Sequence, residues 1–197
     1  MTRLERLQQA VENAKLGAIL LIDDKNVYYA TGFMPTDSAA LITPHGAWLV
    51  TDSRYIEDAQ NKCFKGVDVL LTTAAKPLGA CLKELASGVT GVIGAEEDKL
   101  THELYVRMED LLGRDLAAAG GLMRTLRAHK SADELETLIA AQRIAEAALE
   151  ETLPLIKPGL AERELAAELT YRMMRHGAQK NSFDPIAITG AHTSMPH

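Results

Sequence analysis

The sequence predicts an α/β domain with a mixed sheet, followed by a second domain that opens on two helices. Three observations carry this. Short apolar runs bounded by turn residues alternate with helical patterns from residue 1 to about residue 117. The stretch Ala117-Ala-Ala-Gly-Gly121 then interrupts all periodicity. Beyond it, Ser131-Ala-Asp-Glu134 is a capping box at the head of a much longer helical pattern. The boundary is accordingly set at 120, giving domains 1–120 and 121–197.

Each element has its own reason. Leu4, Leu7 and Val11 recur at helical spacing, so residues 3–15 read as an amphipathic opening helix. Strands are expected at 17–22, 27–31, 39–43 and 47–51, with Pro44-His45-Gly46 as a hairpin turn, and later at 67–71 and 89–93. Helices are expected at 54–61, 78–86 and 102–112. In the second domain Leu135, Leu138, Ile139, Gln142, Ala145, Leu149 and Leu153 form one stripe. Pro158-Gly159 breaks it before a second helix at 161–176, with Gly177 as its C-cap. Residues 182–189 read as a strand and 190–197 as a loop. Two helices and a strand bury too little on their own, because each apolar face needs a sheet to cover it. The second domain therefore reads as unfinished at His197.

The bulk composition excludes several classes. A net charge of −6 gives no electrostatic reason to expect nucleic acid as a partner. The longest early apolar run, residues 16–22, is too short to span a bilayer and lacks the flanks of a signal peptide, so a cytoplasmic protein is expected. Cys63 and Cys81 have no metal-site or framework spacing and read as buried or idle thiols in a reducing cytosol.

Residue patterns alone assign little chemistry. His176, His192 and His197 crowd the C-terminal stretch without the neighbours a metal site requires, and His176 suits a helix C-terminus. His102-Glu103 lacks the second histidine of a zinc-protease helix, since position 106 is Val. Gly113 and Gly120-Gly121 lack the remainder of a phosphate loop. Asp52-Ser-Arg-Tyr55 is either a binding cluster or a helix N-cap, through Asp52 or Ser53, with a solvated face behind it.

Six strings in order carry a resemblance. Asn26-Val-Tyr-Tyr-Ala-Thr-Gly-Phe33, Trp48-Leu-Val-Thr-Asp-Ser-Arg-Tyr55, Leu126-Arg-Ala-His-Lys-Ser-Ala-Asp-Glu-Leu135, Ile156-Lys-Pro-Gly159 with Glu162-Arg-Glu-Leu165, Ser182-Phe-Asp-Pro-Ile186 and Met195-Pro-His197 resemble signatures of the creatinase and prolidase branch of the pita-bread metallopeptidases. The resemblance implies a creatinase-like N-terminal domain and the first part of an α+β pita-bread domain. It also implies removal of the N-terminal residue from peptides with proline in second place, using a water activated by two divalent metals, Mn or Co. The five metal ligands of that family (two Asp, one His, two Glu) would lie beyond His197. His197 would bind substrate and assist proton movement around the tetrahedral intermediate, and Phe183 would either wall the substrate pocket or sit as a core aromatic on a buried strand. A homodimer is the implied assembly. Two alternatives share the resemblance: a creatinase-like amidinohydrolase, and a non-catalytic dimerisation or binding fragment. Ala161 in place of a Thr cap, Gln179-Lys180, and Ala191-His-Thr193 depart from the family pattern.

Overall fold

The structure, a computed structural model, describes residues 1–34 and 36–195. Six apolar runs pair into one sheet: β1 (Ala18–Leu21), β2 (Ala39–Ile42), β3 (Ala47–Thr51), β4 (Asp68–Leu71), β5 (Ile93–Ala95) and β6 (Leu116–Ala118), in the order β4-β3-β2-β1-β5-β6. The pairs β1–β2 and β2–β3 are antiparallel, while β3–β4, β1–β5 and β5–β6 are parallel. This is the mixed sheet the sequence predicts.

Helices cover both faces, which is why the central strands are apolar throughout rather than alternating. Ile19 and Leu21 of β1 face a core with Leu4, Leu7 and Val11 of α1 (Arg3–Asn13), Val27 of α2 (Asp24–Thr31), Ala59 of α3 (Ile56–Lys62) and Met123 of α6 (Gly120–Ala128). Ala18 and Leu20 face a second core with Cys81, Leu82 and Ala86 of α4 (Leu78–Ser87) and Leu112 of α5 (His102–Leu112). Both cores lie within Met1–His129, the first of two compact units. Cys63 and Cys81 are free, and burial pushes the Cys63 thiol up to about 11, too high for a ready nucleophile.

Four expectations are corrected in this unit. Residues 27–31 are helical, because the Asp23 side chain accepts from the N–H groups of Lys25 and Asn26 and so starts α2 three residues earlier. The strand expected at 89–93 is Ile93–Ala95, since the chain first turns through Gly91 at φ +88°. Neither Asp52 nor Ser53 caps α3, which begins at Ile56 with Tyr55 in the capping position. Finally, the stretch 117–121 read as a boundary falls within a strand, β6, and the start of a helix, α6. The small residues of 117–121 suit the close packing there: a Cβ on Gly120 would lie 1.9 Å from Asp98 Oδ1. The first unit consequently extends to His129, nine residues past the boundary set from sequence.

The second unit, Lys130–His197, contains α7 (Ala132–Thr152) and α8 (Glu162–Arg175). The capping box is present, with the Ser131 N–H donating to Glu134 at 2.9 Å. The helices are tied by Arg172 Nη1 to Glu151 at 2.7 Å and by His176 Nε2 to Glu151 at 2.9 Å. Gly177 has φ +101°, the left-handed C-cap that glycine accommodates. The α7 stripe is largely exposed, Leu135 at 49% and Ile139 at 58%. Residues 182–189 form no strand: among the described residues of this unit no second strand is available to complete a ladder. No described helix is long and apolar enough to cross a membrane.

Ala161 sits in extended N-cap geometry (φ −80°, ψ 147°) with no side-chain oxygen to offer. Ala161→Ser should therefore stabilise α8 by about 1 kcal/mol. Urea denaturation followed by helical circular dichroism would check this, and no gain would mean that the cap is already satisfied.

Candidate functional site

The signature residues of the first unit serve its architecture. Glu96, at the end of β5, is fully buried at 0% exposure. Its Oε2 accepts from the N–H groups of Ile22 and Asp23 at 2.6 and 3.0 Å, and its Oε1 accepts from Asn26 Nδ2 at 2.5 Å. Asn26 Oδ1 in turn accepts from Arg127 Nη1 at 2.7 Å. The amide thus bridges a cation on α6 and an anion on β5, with its polarity set by both neighbours. Burial pushes the Glu96 carboxyl above the ordinary range, against the pull of its three donors.

Further along the same signature, Thr31 Oγ1 donates to Val27 O and accepts from the Phe33 N–H, and Gly32 ends α2 at φ +81°. A Cβ there would meet the Phe64 ring at 2.7 Å. Phe33 meets Tyr55 edge to face. Arg54 is forked by Asp52 and reaches Asp37 at 3.0 Å, and the Tyr55 hydroxyl pairs with Thr36 at 2.6 Å. The Arg54 guanidinium beside Asp52 holds that carboxyl below the usual range. The 52–55 cluster therefore braces the turn after α2.

In the second unit the signature pair Glu162 and Glu164 divides its work. Glu164 accepts from the Ala161 N–H at 2.9 Å and completes half of a capping box. Glu162 accepts from the Thr189 N–H at 2.7 Å and from His192 Nδ1 at 3.1 Å, and these donors hold its carboxyl below the ordinary range. A mostly apolar cleft of ≈ 340 Å³ is lined by Lys157, Pro158, Glu162, Leu165, Ile188 and Thr189, among others.

Of the residues singled out from sequence, His197 lies outside the described residues. Phe183 is 75% exposed and on no strand. His176 and His192 are each paired to a glutamate rather than gathered into a site. Among the described residues no three His, Cys, Asp or Glu side chains are grouped to hold a metal. Glu96 was not legible in the sequence, since it opens the charged run Glu96-Glu-Asp-Lys99, which looks solvated. Glu162 was legible only as part of a motif, because nothing local announces a partner 27 residues away.

Comparison with known proteins gives a consistent pattern. Residues 3–129 match the Creatinase/Prolidase N-terminal domain, and residues 136–197 match Metallopeptidase family M24. The chain is 31% identical over 202 residues to "Uncharacterized peptidase YqhT" of Bacillus subtilis, covering 99% of this chain and 55% of that protein. It is structurally similar to a Xaa-Pro dipeptidase from Bacillus anthracis (TM-score 0.84, 30% identity), covering 92% of this chain and 51% of the other. A Streptococcus pyogenes Xaa-Pro aminopeptidase structure matches at TM-score 0.55 and 29% identity, over 63% of this chain and 94% of that one. The chain spans about half the length of the curated relatives it matches. The Creatinase/Prolidase N-terminal domain fills residues 3–129, well over half of the chain, and the chain belongs to that family.

Proposed function

We propose that the protein acts as a proline-directed metallopeptidase, releasing the N-terminal residue from peptides with proline in second place. The observation that carries this is the order of the two family matches, the M24 match running to His197, in a chain similar to a Xaa-Pro dipeptidase over nearly its whole length. Two divalent ions, Mn or Co, would supply a water made nucleophilic by lowering its pKa. Their ligands would come from outside these 197 residues. Within the chain, His197 is assigned to substrate binding and proton movement, and the exposed Phe183 ring to the wall of the substrate pocket. A homodimer in the cytoplasm completes the reading.

The test separates this chain from a longer one. An intact mass comes first: 21.4 kDa corresponds to the 197 residues alone. That polypeptide is expected to show no hydrolysis of Xaa-Pro dipeptides at any manganese or cobalt concentration. A chain of the relatives' full length, loaded with either metal, is expected to hydrolyse them. Turnover by the 197-residue preparation, proven free of longer chains, would overturn the placement of the metal ligands. Hydrolysis of creatine and not of Xaa-Pro substrates by the full-length chain would favour the amidinohydrolase instead.

A further inference from the structure

We infer that Glu162 is a positioning residue, whose carboxylate fastens the Thr189–Met195 segment, the stretch leading into His197, to the first turn of α8. The first turn carries two acidic side chains with different partners. Glu164 folds back on its own helix through the Ala161 N–H. Glu162 reaches across to the Thr189 N–H with Oε1, and the imidazole Nδ1 of His192 lies 3.1 and 3.2 Å from its two oxygens. One carboxylate thus grips the segment at its entry and again three residues on.

From the first of those grips onward the chain turns tightly. Gly190 takes φ +56°, Thr193 Oγ1 donates to Gly190 O at 2.8 Å, and the Met195 N–H donates to His192 O at 2.9 Å. The turn is therefore closed on itself, and in the described structure Glu162 ties it to α8. Hydrogen bonds to an ionised acceptor are stronger than neutral ones, and a negative side chain in a helix's first turn is itself favoured. Such an anchor would limit the positions available to the Thr189–Met195 segment. The catalytic consequence rests on the peptidase reading above; the anchoring itself does not.

Amide hydrogen exchange by NMR on the 197-residue chain tests the anchor. In Glu162→Ala the protection of the Thr189 amide should fall about tenfold, the change expected for losing one good hydrogen bond. Amides of α8 from Leu165 onward should stay within about twofold. Glu162→Gln, which keeps a neutral acceptor, should lie between wild type and Glu162→Ala. Glu164→Gln should leave Thr189 unchanged. Unaltered Thr189 protection in Glu162→Ala, or an equal loss throughout α8, would overturn the inference. In a chain of the relatives' full length, Glu162→Ala should lower kcat for a Xaa-Pro dipeptide with KM and bound metal unchanged, and Glu162→Gln should restore part of it. An unchanged kcat would overturn the positioning role. A full-length wild type without Xaa-Pro turnover, but with the exchange pattern intact, would overturn the peptidase reading and sustain the anchor.

Discussion

Asn26→Ala is expected to destabilise the first unit by about 3 kcal/mol, among the largest costs a single truncation here should carry. The lost atoms are few, so the cost is not mainly one of cavity formation. Removing the amide strips one donor from the fully buried Glu96 and one acceptor from Arg127, leaving two opposite charges without the group that joins them. A buried group that loses its partner pays its desolvation cost in full. The sign with pH is also determined. Glu96 is held above the ordinary carboxylate range, so the folded chain keeps this proton after the unfolded chain has released it. Its contribution to stability is present below the unfolded value and lost as pH rises through the folded one. Without Asn26 the ionised form has one donor fewer and its pKa rises further. The penalty for Asn26→Ala should therefore be larger at pH 8 than at pH 5. Urea denaturation at the two pH values would measure this, and a penalty below 1 kcal/mol, or one that does not vary with pH, would sink the account.

His197→Ala, in a chain of the relatives' full length, should lower kcat by about 10²–10⁴-fold, the usual contribution of a positioned proton-transfer group. The metal content of that variant, read by elemental analysis, should equal that of the wild type, because His197 is assigned to substrate and proton handling and not to the metals. Loss of bound metal would reassign it as a ligand. Wild-type kcat would remove it from the catalytic machinery.

What the sequence determined by itself was the class of the first unit and most of its element order. Most of the four-to-five-residue apolar runs separated by turns are strands buried on both faces, and Leu4, Leu7 and Val11 share a face at helical spacing. The capping box at Ser131 and the glycine at 177 were legible because a helix end is set by the few residues that satisfy its orphan backbone groups. Tertiary structure decided the rest. Residues 27–31 have strand-like composition, yet Asp23 nucleates a helix through them. Residues 117–121 look like a linker, yet their small side chains are what lets β6 and α6 pack closely. Residues 182–189 have a strand's composition but form no strand, because a ladder needs a second strand beside it. The candidate site divides in the same way. His197 and Phe183 were nameable from motifs, whereas the Glu96–Asn26–Arg127 relay and the Glu162 anchor join residues 27 to 101 positions apart. A polar group's partner is chosen by which donors and acceptors the fold brings within about 3 Å, and local sequence carries no record of that distance.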